Sequence, residues 1–273
     1  RIQSLASPGG VAIGDTTYNI TRGLFEFEDI GEHELKGIKE PQRIWCVLAE
    51  KSISSRFVAH AAEMTPMVDR KDTLKTLLDC WENSRNGIAQ TVVFSGEAGV
   101  GKSRITQEFS RVIALSGQYH SLDYQCSPYH TRTALYPVVS RLKVAAGFQK
   151  GDSEADQLDK IETLIRRSSS NLQQDMPAFI DLLSLPSGGK WPAPKGDPDE
   201  KKEWIFNCLI NNMLILSLTK PILITLEDVH WIDPSTLELT TRLVSAIQGH
   251  SILLLITSRP GFSAGFMSQA NVI

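Results

Sequence analysis

Gly96-Glu97-Ala98-Gly99-Val100-Gly101-Lys102-Ser103 is the stretch whose reading decides the fold of this chain. It matches the phosphate-binding loop pattern G-x-x-x-x-G-K-[ST] at every fixed position. Its glycines let the backbone turn tightly and leave room for phosphate oxygens, because no Cβ blocks their approach. The loop N–H groups then converge into an anion nest, and a helix starting at the loop adds its positive end. Lys102 is placed to reach β- and γ-phosphates, and the Ser103 hydroxyl to bind Mg²⁺. Four fixed positions coincide by chance at about 4 in 100,000 start points, so the flanking residues must decide whether the match is real.

The flanks agree with it. Thr91-Val92-Val93-Phe94-Ser95 is a short apolar run rich in β-branched residues, a strand entering the loop. After the loop, Ile105, Phe109, Val112 and Ile113 recur as on a helix with one buried face, and Gly117 is placed to end it. Further on, Ile222-Leu223-Ile224-Thr225-Leu226 reads as a parallel strand buried on both faces, ending in Glu227-Asp228. Two carboxylates at a strand end are what a Walker B element supplies. One helps to hold Mg²⁺, and the other orients or deprotonates the attacking water. Asp233-Pro234 offers an N-cap and an N1 proline for the next helix. Ser251 to Ile256 is another buried strand, and Arg259 at its end is placed to contact a γ-phosphate and report its presence. The plainer alternatives are a solvated acidic strand end for Glu227-Asp228 and a surface arginine for Arg259.

Composition bounds the rest. The 273 residues carry 28 basic and 31 acidic side chains, a net charge of −3, with 41% hydrophobic residues. That is enough apolar surface for a core, and it lacks the clustered basic charge of a general nucleic-acid binder. Cys46, Cys80, Cys126 and Cys208 are scattered with no C-x-x-C pair, which fits a reducing cytoplasm. Cys126 and His130 stand four apart, but without a second pair they read as ordinary packing. No apolar run approaches the roughly 18 residues of a membrane span. The first residue is Arg1, not Met, so the chain reads as a piece of a longer protein whose upstream targeting stays open.

Residues 1–50 have their own character. Val11-Ala12-Ile13, the alternating Phe25-Glu26-Phe27-Glu28 and Arg43 to Leu48 read as strands around turns at Pro8-Gly9-Gly10 and Gly37 to Pro41. Residues 51–66 read as a linker. Leu74, Leu77, Leu78 and Trp81 mark a helix, residues 119–126 a strand, and segments around 134–147, 157–168 and 175–185 helices. A proline- and glycine-rich loop runs from Ser184 to Pro198, and Trp204 to Leu216 mark a long helix.

Two family resemblances follow. Arg1 to Ala6, Pro8 to Val11 and Phe25 to Gly37 resemble the C-terminal tail of a class III adenylyl/guanylyl cyclase domain, with Arg1 matching the arginine that stabilises its transition state. The metal-binding aspartates and base-recognising residues of that family would lie upstream, so the resemblance implies no cyclase activity from these residues alone. Met67 to Arg70, Gly96 to Ser103, Cys126 to His130, Leu135 to Val138, Leu226 to Ser235 and Thr257 to Pro260 resemble the signal-transduction ATPases with numerous domains. The likeness is strongest to the Orc1-like AAA module that follows cyclase domains in bacterial proteins.

The resemblance implies a P-loop NTPase three-layer sandwich with a mostly parallel sheet, incomplete at its C-terminus, over 67–273, behind a small α+β cyclase tail. It implies ATP and Mg²⁺ as cofactors. Val68 and Arg70 would cradle adenine, Gly96 to Ser103 with Arg104 would hold the phosphates, Ser103, Glu227 and Asp228 the metal, and Asp228, Glu227 and Arg259 would serve catalysis. Glu227 stands where relatives carry an aspartate, so either acid can be the better metal ligand. The implied role is a slowly hydrolysing cytoplasmic switch acting on an attached cyclase and on downstream helical or repeat domains. It also implies nucleotide-dependent self-association. The alternatives are a scaffold that holds nucleotide without turnover and an inactive cyclase fragment. The family sheet order is fifth, first, fourth, third, second. No fifth strand is legible after Pro260, so the outer side of the P-loop strand is expected to be an open edge and the chain alone poorly stable.

Overall fold

The computed structural model describes residues 2–7, 9–22, 25–35, 37–38, 40–50, 70–187, 189–192 and 196–273. The expected linker and the positions Arg1, Val68 and Asp69 lie outside the described residues. The chain divides into two compact units, Arg1–Pro66 and Met67–Ile273.

In the first unit, β1 (Val11–Gly14), α1 (Asp15–Thr21), β2 (Phe25–His33) and β3 (Gln42–Glu50) build an antiparallel sheet of order β1-β3-β2. Bulges between Glu26 and Phe27 and between Asp29 and Gly31 bend β2. Among its described residues only Leu35 and Ile44 are buried apolar side chains. A stack of Tyr18 on Trp45, centroids 3.7 Å apart, and an Arg43–Asp29 ion pair add surface order.

The second unit runs α2 (Lys71–Arg85), β4 (Gln90–Ser95), α3 (Lys102–Ser116), β5 (His120–Gln125), α4 (Tyr136–Ala146), α5 (Glu154–Ile165), α6 (Leu172–Leu183), α7 (Pro198–Ser217), β6 (Ile222–Glu227), α8 (Pro234–Ala246) and β7 (Ile252–Ser258). The four strands are parallel, in the order β4-β7-β6-β5. Every residue of β6 and β7 is buried, which is why both read as unbroken apolar runs. Successive side chains point to opposite faces. Leu223, Leu253 and Leu255 pack with Val92 against α2 and α3 through Leu77, Trp81, Ile105, Phe109 and Ile113. Ile222, Ile224, Ile252, Leu254 and Ile256 pack against the layer formed by α4 to α8. The result is the three-layer P-loop NTPase sandwich. With all four strands parallel, Ser95, Gln125, Glu227 and Ser258 end on one side of the sheet, where open α/β sheets place their ligands.

The outer edge of β4 is not wholly open. Asn271–Ile273 meet it in parallel: the Thr91 N–H donates to Asn271 O at 2.8 Å, the Ile273 N–H to Thr91 O at 2.9 Å, and the Val93 N–H to Ile273 O at 2.9 Å. This corrects the expectation of a bare edge. A turn through Gly265–Ser268 brings the last residues onto the strand. Three residues are too few to show as a strand pattern.

Candidate active site

The P-loop is held by backbone demands that only glycine meets easily. Gly101 has φ 93° and is the N-cap of α3. A left-handed non-glycine there would be strained. A Cβ on Gly96 would stand 3.0 Å from Val100 Cγ2. Because Gly101 brings no capping side chain, the first N–H groups of α3 remain available to an anion. Lys102 Nζ donates to the carbonyls of Gly96 at 2.6 Å and Glu97 at 2.9 Å, both in its own loop. Arg70 Nη2 donates to Val100 O at 3.1 Å, so the residue at the start of α2 is tied to the loop. Arg70, Thr73, Phe94, Val100, Lys102 and Ile105 line a cavity of about 70 Å³ against the loop.

The acidic strand end comes to the same place. Ser103 Oγ donates to Glu227 Oε2 at 3.3 Å across 124 residues of sequence. Glu227 is 7% exposed. Its pKa is pushed up to about 7, first by burial and then by the neighbouring Asp228 charge, against the Ser103 hydrogen bond that favours the carboxylate. Asp228 is half-buried and left-handed at φ 59°, and its N–H donates to Thr257 Oγ1 at 3.0 Å. Such a conformation costs a non-glycine residue about 1–3 kcal/mol and clusters at functional sites. Arg259, exposed just beyond β7, lays its guanidinium 5.8 Å from the Trp231 ring centroid.

Some site residues carried no role in the sequence reading. Asp123 on β5 accepts from Thr225 Oγ1 at 2.7 Å and from Ser121 Oγ at 3.0 Å, and adds to the rise in the Glu227 pKa. Its signal was the alternation of polar Ser121, Asp123 and Gln125 along the strand. His230 lies in the 3-10 turn Val229–Trp231, after Asp228. Asp233 does cap α8, accepting from the Thr236 N–H at 3.0 Å, and it also accepts from the N–H of Leu135 at 3.1 Å. It thus pins a loop whose Leu135 is left-handed at φ 55°. Cys126 is buried with its thiol pushed up to about 12 by burial, and His130 stacks on Tyr136 at 3.5 Å.

The P-loop on the β4-to-α3 turn thus meets, through Ser103, the acids at the end of β6, beyond β7 in the sheet. The family model described as AAA ATPase domain matches residues 66–256. The chain belongs to the AAA ATPase domain family. The whole chain is similar to an uncharacterized protein of Rhizobium meliloti (strain 1021), 27% identical over 273 residues, 99% of this chain and 26% of that protein. It is also similar to a putative adenylate cyclase 3 of the same organism, 37% identical over 79 residues, 28% of this chain and 13% of that one. The chain therefore spans about a quarter or less of the length of these curated relatives. Among solved structures, Cdc6p of Pyrobaculum aerophilum is similar with a TM-score of 0.41 and 14% identity, over 77% of this chain and 46% of its own. The Orc1 protein of Aeropyrum pernix, solved in complex with DNA, is similar with a TM-score of 0.37 and 14% identity, over 74% and 41%. As an AAA ATPase domain the second unit belongs to an ATP-binding class. No helix among the described residues is long and apolar enough to cross a membrane.

Proposed function

We propose that the second unit is a nucleotide-state switch: it takes up ATP with Mg²⁺, hydrolyses it slowly, and passes the state of the site to a class III nucleotide cyclase domain on the same polypeptide. The observation that carries this reading is the Ser103–Glu227 contact, because it joins the P-loop to a buried acid at the end of β6. The donor set fits a hard cation. Ser103, Glu227 and Asp228 offer oxygens only, as Mg²⁺ prefers, and a carboxylate held near pKa 7 by burial regains its charge when a cation stands beside it. Mg²⁺ held by these residues would supply charge neutralisation to the phosphates.

The chain's own residues do the rest. The N–H groups of Gly96 to Ser103 and Arg104 surround the phosphates, and Lys102 exchanges its loop carbonyls for phosphate oxygens. Glu227, which meets Ser103, is the better placed metal ligand, leaving Asp228 to orient water. Arg259 meets the γ-phosphate, and Arg70, tied to the loop at Val100, borders the adenine side. The match to a putative adenylate cyclase and the residues of Phe25 to Gly37 support the cyclase side of the proposal, with residues 1–50 its tail and 51–66 the linker. Free cysteines suit a reducing cytoplasm.

The test is an ATP titration and a hydrolysis assay on the wild type, Lys102→Ala and Asp228→Asn. Lys102→Ala should lose ATP binding, because the loop loses its mobile cation. Asp228→Asn should retain binding and lose turnover. Unchanged affinity in Lys102→Ala refutes the assignment. Binding without turnover in the wild type favours a nucleotide-holding scaffold.

A further inference from the structure

His230 has hydrogen-bonding capacity that the fold does not use. Both imidazole nitrogens are buried, and among the described residues neither has a partner. Three other described histidines do pair. His33 Nε2 pairs with Ile30 O, His120 Nε2 with Thr219 Oγ1, and His250 Nδ1 with Gln248 O. A buried polar group without a partner is costly, and in a native protein it calls for an explanation.

The setting supplies one. The ring hangs from the turn that follows Glu227 and Asp228, with its centroid 5.1 Å from that of Trp231. Arg259 stands over that same indole. Burial lowers the histidine pKa, and the charges acting on the ring are Asp228, Arg259 and Lys102. Two of these are cations assigned above to terminal phosphate oxygens. The P-loop hangs from β4, whereas His230 hangs from β6, with β7 between them in the sheet. His230 thus leaves the same strand end as the two acids, and Glu227 there meets Ser103 of the P-loop. A neutral imidazole brings one N–H donor to a phosphate oxygen.

We infer that His230 donates a hydrogen bond to the terminal phosphate of a bound nucleoside triphosphate, and so sets the preference of this site for triphosphate over diphosphate. The inference rests on the ATP reading given above and adds to it, beside Arg259, a second residue that distinguishes the two nucleotides.

The test measures ATP and ADP affinity, with Mg²⁺, on the full 273-residue chain and its His230→Phe, His230→Ala and His230→Gln variants. A hydrogen bond to a charged group predicts about a tenfold or larger loss of ATP affinity in the Phe and Ala variants. ADP affinity should stay within about twofold, which also shows on the same sample that the P-loop is folded. His230→Gln keeps an N–H donor and should recover part of the loss. The alanine variant gives the same reading where phenylalanine does not fit. An ATP-to-ADP affinity ratio equal to that of the wild type overturns the inference alone. A wild-type chain that binds neither nucleotide overturns the ATP reading, and the inference with it.

Discussion

Replacing Glu227 by glutamine should flatten the pH dependence of stability of the nucleotide-free protein. The Glu227 carboxyl is raised from 4.5 to about 7 in the fold, with burial as the main cause. The folded state therefore holds this proton more tightly than the unfolded chain does. Its contribution is fully present below about pH 4.5 and is lost as the pH rises towards 7, because there the folded protein binds more protons than the unfolded one. About 2.5 pH units at 1.36 kcal/mol each is roughly 3 kcal/mol. For a domain of this size that corresponds to roughly 6–12 °C in Tm. The assay is thermal unfolding of wild type and Glu227→Gln between pH 5 and 8 without nucleotide. The wild type should lose stability over that window relative to the variant, and Mg²⁺ at pH 8 should stabilise the wild type more. Parallel curves for the two proteins, with or without Mg²⁺, refute the claim that a buried carboxyl at the end of β6 awaits a cation.

Further outcomes are expected from other parts of the site. Arg259→Ala should weaken ATP binding about tenfold to a hundredfold while sparing ADP, as the loss of a charge-assisted contact does; equal losses for both nucleotides, in a binding titration, would assign the residue a structural role. Asp233→Ala removes the α8 cap and strands the N–H of Leu135, and should cost about 2–3 kcal/mol in urea unfolding; a change under about 0.5 kcal/mol would show that water replaces both contacts.

The parts of this protein that could be read from sequence are those where one physical demand selects the residues. The P-loop needs a left-handed Gly101 and a Gly96 without Cβ, so the motif is legible from residue types alone. β6 and β7 are buried on both faces and so spell continuous apolar runs. Elsewhere the cause lies outside the local pattern. β2 runs on to His33 because two bulges interrupt its alternation, and the alternation was all that showed. α1 is built of Thr16, Thr17, Asn19 and Thr21, poor helix formers. α7 starts at Pro198, well before its first apolar anchor Trp204, because the capping box of Asp197 and Glu200 fixes its beginning. Asp123 joins Glu227 only through the pairing of β5 with β6. The orphaned nitrogens of His230 exist only once the turn after Asp228 is folded.

The flanking of β4 by β7 on one side and Asn271–Ile273 on the other has a consequence in time. Ser95 and Ile252 are separated by about 160 residues, so on a ribosome adding 5–20 residues per second this strand waits roughly 8–30 s for either neighbour. Val92, Val93 and Phe94 spend that interval without the pairing that later covers them. The nucleotide loop is thus translated early and assembled late. A translational pause or a truncation anywhere before β7 leaves an unpaired apolar strand for chaperones to hold.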